Sequence, residues 1–269
     1  MEYNVLGKLR MIKKIGQSVR NKIHEYLYTI GYIGKLIIAS ILFVSRGKAS
    51  RKILIMQLLF TYVEALPICA FLAVGIGTAV LFLGNSFLAS LGQAKLTYDL
   101  LVLIVVRELG PLLIAFVVTA RSATAIATEI SSMVVGHEIE AYIATGVDPI
   151  GHLAAPRFIA VTLSLFFLNI YFSLFGLIAP SVVVQFISTT NIAEYFNALF
   201  QSLTVRDVLI SLSKSLIFGM IISASATFYG FNAGRASTEI PMAGLRAVGN
   251  AFSICILADV IITVMTYVL

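Results

Sequence analysis

Residues 99–133 read DLLVLIVVRELGPLLIAFVVTARSATAIATEISSM. A helix rises about 1.5 Å per residue, so about 20 apolar residues cross a hydrocarbon layer roughly 30 Å thick. At about 52 Å this stretch crosses such a layer and overshoots it. Further apolar runs of spanning length lie near 53–84, 158–187, 208–231 and 246–269. Of the 269 residues, 59% are apolar and 12% charged, with a mean hydropathy of +0.98. A soluble domain carries about 25% charged residues, so the polar residues needed to coat a globular core are lacking. The expected fold is an all-α integral membrane protein, and a globular enzyme is excluded.

The net charge of +6 is unevenly placed. Residues 1–52 hold eleven Lys and Arg against two acids, and residues 53–269 hold eight against eleven. A basic flank before apolar spans marks the cytoplasmic side of a membrane rather than a nucleic-acid surface. The chain therefore divides into a basic N-terminal segment, 1–52, and a transmembrane domain, 53–269. The stretch Tyr26–Val44 contains Gly31, Gly34 and Lys35 and follows Lys8, Arg10, Lys13, Lys14, Arg20 and Lys22. It reads as an interfacial helix, with a sixth span as the rival reading. Five spans from a cytoplasmic N-terminus put the loop containing Lys95 outside, Gly136–Pro156 and Asn232–Gly244 inside, and the C-terminus outside. Cys69 and Cys255 lie in apolar runs with no disulfide or metal-ligand spacing, and no cleavable signal peptide is evident.

Charges within spans face a bundle interior or a cavity. Glu64, Arg107, Glu108, Arg121, Glu129, Lys214 and Asp259 are such charges, with structural ion pairing and substrate contact both open. The fourteen-residue separation of Arg107 and Arg121, close to four helical turns, predicts one basic face. Pro67 and Pro111 remove helical hydrogen bonds and predict kinks. His137-Glu138-Ile139-Glu140-Ala141 lacks the second histidine of a zinc-protease helix, so no metal site is expected. Neither a phosphate-cradling loop nor a nucleophile elbow occurs, so the chain holds no catalytic residues. Glu138–Thr145 reads as a short helix ended by Gly146, with a turn at Asp148-Pro149.

Several blocks then resemble a known family, the MlaE/YrbE permeases of lipid-transporting ABC systems associated with MCE proteins. They are Arg107-Glu108-Leu109-Gly110-Pro111, Ala120-Arg121-Ser122-Ala123, Thr128-Glu129-Ile130 with Met133, and Gly146-Val147-Asp148-Pro149 followed by Pro156-Arg157. The resemblance spans roughly residues 50–269. It implies an interfacial N-terminal helix, five transmembrane helices and a homodimer enclosing a lipid cavity. It also implies a coupling helix that docks on a cytoplasmic ABC ATPase, and Glu138, Glu140, Ala141, Gly146 and Asp148 fall on that element. Lys214 and Asp259 match family positions for embedded charges, as structural or coupling residues. Where relatives read like G-R-A-T-T-R, Pro241-Met242-Ala243-Gly244-Leu245-Arg246 keeps only the second arginine.

The expected function is a multi-pass inner-membrane permease subunit that moves phospholipid or another hydrophobic molecule between the inner membrane and a periplasmic MCE-domain partner. No cofactor is expected on this chain, and ATP belongs to the partner ATPase. Leu66, Ala70, Phe71, Val74 and Thr78 are spaced to line a lipid cavity or simply to pack. An ion-coupled secondary transporter using Glu64, Lys214 and Asp259 is the alternative, although the paired broken helices of that class are not found. The predicted topology is checked with an impermeant thiol reagent: engineered cysteines near 90 and 269 label from outside, and one near 140 does not. Labelling at 140 would invert the topology.

Overall fold

The structure, a computed structural model, describes residues 27–45, 48–90, 92–93, 96–187 and 192–268, and every regular element among them is helical. The basic residues between Lys8 and Lys22, with Tyr26, Arg46 and Lys95, lie outside the described residues. In chain order the helices are α1 (Leu27–Ser45), α2 (Lys52–Leu88), α3 (Leu96–Val135), α4 (Glu138–Ala144), α5 (Ile150–Val182), α6 (Ile192–Ser202), α7 (Val205–Phe231) and α8 (Glu239–Val268). All but α4 and α6 are long and apolar enough to cross a membrane. The long helices exceed the apolar runs of the sequence because their ends carry polar turns beyond the hydrocarbon.

Helix α1 has a spanning length, but its contacts hold it at one end of the bundle. Lys35, at its middle, reaches Asp148 Oδ1 at 3.2 Å in the turn after α4. Tyr32 and Leu36 are buried against Ala154, Phe158 and Ala224, which lie in the first turns of α5 and the last turns of α7. The middle of α1 therefore lies beside the ends of α5 and α7. We call this end, where α3 stops and α5 starts, the basic end.

Helix α7 is the centre of the bundle and packs on α3, α5 and α8. Lys214, Phe218 and Ile222 on it are fully buried. Small residues let the helices approach closely, as is common in membranes. A Cβ on Gly219 would lie 2.6 Å from Thr162 Cα, and one on Gly77 would lie 2.2 Å from the Gly176 carbonyl oxygen. Helices α2 and α8 are peripheral and leave Phe71, Leu257, Val260 and Val264 exposed.

The two expected kinks are resolved in opposite ways. Pro67 cannot donate to Val63, and the helix tightens into a 3₁₀ turn over Val63–Ala65 so that Leu66 N–H bonds Val63 O instead. Around Pro111 the helix widens into a π segment, Val102–Glu108, in which Leu109 N–H bonds Ile104 O five residues back. In that register Pro111 is the residue that would have served Val106 O. Ser211 of α7 donates to that oxygen at 2.7 Å, and Asn169 Nδ2 of α5 donates to Ser211 Oγ at 2.7 Å. A missing backbone donor in α3 is thus repaired by side chains from two other helices.

Replacing Ser211 with Ala orphans Val106 O and the Asn169 amide together, and should lower stability by about 1–3 kcal/mol. The measurement is the thermal unfolding midpoint of the purified protein in detergent. Asn169→Leu, which spares the Ser211–Val106 bond, should cost less.

Candidate functional site: embedded charges and an exposed connecting helix

Three helices bring their charges together in the half of the bundle away from the basic end. Lys214 Nζ of α7 has no exposed surface. It donates to Glu108 Oε2 of α3 at 2.6 Å and to Thr263 Oγ1 of α8 at 2.8 Å, and lies 2.9 Å from Asp259 Oδ1 in an ion-pair contact without hydrogen-bond alignment. Thr263 Oγ1 in turn donates to Glu108 Oε2 at 2.9 Å. Arg107 lies 3.3 Å from Glu108 Oε1 and donates to Asp207 Oδ1 at 3.4 Å, with its guanidinium 4.3 Å from the centre of the Tyr267 ring. Two cations and three carboxylates thereby tie α3, α7 and α8 into one network.

Asp207 was not among the charges read from the sequence. It sits three residues after Thr204 and completes a capping box at the start of α7: its carboxylate accepts from the Thr204 backbone, and Thr204 Oγ1 accepts from the Asp207 N–H. The cap pattern was legible, but its second role as a partner of Arg107 was not. A pocket of about 400 Å³, lined by Asp99, Leu103, Arg107, Ser202 and Asp207 among others, opens beside this group. Nearby, Tyr195 of α6 donates to Leu177 O at 2.6 Å, and burial pushes its phenol pKa up.

Arg121 does not share a face with Arg107. Arg107 meets α7 and α8, whereas Arg121 pairs through Nη2 with Glu64 of α2 and lies 5.8 Å from the centre of the Phe60 ring. The expectation of one basic face fails because the two π segments, Val102–Glu108 and Thr119–Ala123, break the regular 3.6-residue phase. Toward the basic end, the buried Arg157 pairs with Glu129 at 2.6 Å and donates to Leu153 O at 2.7 Å. Of the possible lining residues, Phe71 is 79% exposed, while Leu66, Ala70, Val74 and Thr78 are half-buried on α2.

At the basic end, α4 is exposed along its length apart from half-buried Ile139 and Tyr142. It is set off from α3 by His137, which adopts a left-handed conformation at φ 59°, and is closed by Gly146 at φ 78°. Glu140 lies 3.1 Å from His137 Nδ1 and 3.3 Å from Arg235 Nη2, so its carboxylate is held by its own chain. Glu138 and Ala141 are exposed, and Asp148 accepts from Gly151 N–H at 3.1 Å as well as holding Lys35. Arg235, in the turn between α7 and α8, ties that turn to α4 through Glu140. Among the described residues, no three His, Cys, Asp or Glu side chains converge on a metal position.

With this geometry in hand, a family model described as Permease MlaE matches residues 54–265. A probable ABC transporter permease protein of Rickettsia conorii is 26% identical, covering 94% of this chain and 98% of the relative. The intermembrane phospholipid transport system permease protein MlaE of Haemophilus influenzae is 22% identical, covering 96% and 99%. The chloroplastic protein TRIGALACTOSYLDIACYLGLYCEROL 1 of Arabidopsis thaliana is 27% identical, covering 71% of this chain and 54% of the relative.

Removing the central cation tests the network. Lys214→Met leaves Glu108 and Asp259 buried without their shared partner, and should destabilise the protein by about 3–5 kcal/mol. A combined Lys214→Met, Glu108→Gln, Asp259→Asn variant should recover part of that loss. Thermal unfolding of the series in detergent is the measurement, and equal midpoints for Lys214→Met and the original protein would deny the network a stabilising role.

Proposed function

The chain belongs to the MlaE permease family, and from that premise we propose that it is the membrane-spanning subunit of an ABC transporter that moves phospholipid, or another hydrophobic molecule, between the inner membrane and a periplasmic MCE-domain partner. It is a multi-pass protein of the inner membrane. The basic N-terminal flank assigns the basic end to the cytoplasm, which leaves the Arg107–Lys214 network on the periplasmic side. ATP is bound and hydrolysed on a separate ATPase subunit, and the chain contributes the path for lipid.

The observation that carries this reading is α4. A short helix stands exposed on the cytoplasmic side between two long spans, braced by Arg235 from one side and, through Asp148, linked to α1 from the other. A motor pushing on such a helix moves α3 and α5 together rather than bending a loose connection. A homodimer is supported by the exposed apolar faces of α2 and α8 and by the Glu64–Arg121 pair, whose side chains are 47% and 29% exposed in the single chain. Charges at that depth call for protein or a water-filled cavity around them rather than lipid tails. Two copies facing each other across α2 would supply such a cavity, with Leu66, Ala70, Phe71, Val74 and Thr78 along its apolar wall. The full burial of Lys214 fits a structural tie better than the water-accessible relay an ion-coupled carrier requires.

Reversing charge on α4 should release the motor. The Glu138→Lys, Glu140→Lys double variant is expected to lower ATPase recovered with the purified permease by about tenfold or more, because like charges at an interface cost several kcal/mol. ATP-dependent lipid transfer to an MCE-domain acceptor should fall with it, while membrane insertion persists. Undiminished recovery and transfer would reduce α4 to a connector.

A further inference from the structure

The Arg121–Glu64 pair is built unlike the buried network. Arg121 is 14 residues from Val135 and Glu64 is 12 residues from Lys52. At about 1.5 Å per residue these positions lie roughly 18–21 Å from the cytoplasmic ends of helices that overshoot a layer roughly 30 Å thick, and so in the cytoplasmic half of the membrane. Both side chains are partly exposed, and Arg121 Nη1 is buried with no acceptor. A guanidinium carries five donors in a fork that matches the oxygens of a phosphate, and the exposed edge of this one is open to a second anion beside Glu64. Beside it a cleft of about 630 Å³ opens between α2 and α3, walled by Met56, Phe60 and Ile126, with Gln57 and Glu129 also lining it. Phe60 both lines the cleft and faces the guanidinium, its ring centre 5.8 Å from the guanidinium carbon, so the ion pair stands one side chain beyond the cleft wall. Glu129 is already neutralised by Arg157.

We propose that this ion pair is an intramembrane site for a zwitterionic phospholipid headgroup, phosphate on Arg121 and ammonium on Glu64. This rests on the lipid-permease reading and adds to it the place where a headgroup is held within the membrane. The pair neutralises itself when the site is empty. A headgroup with both charges replaces each partner by one of like sign, so neither residue is left uncompensated. An anionic headgroup would satisfy Arg121 and strand Glu64, and a lipid without phosphate would satisfy neither.

The test measures binding of phosphatidylethanolamine, phosphatidylglycerol and diacylglycerol to the detergent-purified permease with its ATPase. The original protein should prefer phosphatidylethanolamine. Arg121→Gln should bring both phospholipids to the level of diacylglycerol, a loss of about tenfold or more for a charge-assisted hydrogen bond. Glu64→Gln should weaken phosphatidylethanolamine and strengthen phosphatidylglycerol, inverting the preference; this variant decides the matter if Arg121→Gln does not fold. A merely structural pair would instead shift all three lipids together with the unfolding midpoint or dissociate the oligomer, and either result overturns the proposal. So does displacement of the lipid by free phosphoethanolamine at equal concentration, which would mark a site for a soluble anion. ATP-driven transfer by the original protein is measured separately. Transfer without the headgroup pattern sinks this inference and leaves the permease reading standing, whereas the pattern without transfer upholds the site and sinks that reading.

Discussion

Lys214 has no contact with solvent and is the only charged residue of α7 beyond its first turn. An ammonium there persists because Glu108 arrives from α3 and Asp259 and Thr263 from α8. None of the three charges is tolerable in that position without the others, since an unpaired charge in such surroundings costs several kcal/mol. The requirement fixes the rotation of three helices about their axes and their depth relative to one another. Arg107 extends the same constraint to Asp207 at the start of α7. Apolar packing alone specifies helix positions weakly inside a membrane, because lipid tails are as apolar as leucine.

The same logic governs the backbone. Hydrocarbon contains no water to satisfy a carbonyl that a proline has deprived of its donor. At Pro67 the remedy is local, a tighter turn. At Pro111 it is not, and the loose carbonyl of Val106 is passed through Ser211 to Asn169, binding α3, α7 and α5 at one level. The π segment over Val102–Glu108 contains Arg107 and Glu108, so the irregularity that creates the loose carbonyl also aims the two charges that form the network. Helix geometry and electrostatics at this site are a single arrangement.

The ion pairs grade from one end to the other. The Lys214 group is closed and saturated by its own chain, as befits an anchor. Arg157 and Glu129 close α3 onto α5 near the cytoplasmic end. Glu64 and Arg121 lie between them, half-exposed beside a cleft, and α4 stands outside with its own small set of pairs to His137 and Arg235. Rigid ties on both sides of a polar, partly open middle suit a molecule that must move something amphiphilic while its framework stays intact.

Much of this was legible in the residues themselves. Membrane class follows from 59% apolar against 12% charged residues, the long spans from the helical rise, and the end of α4 from Gly146, because each depends on local composition or local backbone preference. The blocks around Arg107–Pro111 and Ala120–Ala123 carried the family. Partnership was not legible: helical spacing puts Arg107 and Arg121 on one face and two π segments separate them, Asp207 also caps α7, Arg235 meets Glu140 from a distant turn, and Asn169 and Ser211 carry no signal. Those facts depend on which helices cross at which depth. A sequence determines how many charges must find partners within the membrane; only the packed helices decide which ones meet, because partners as far as 155 residues apart are brought together by rotations that no local periodicity records.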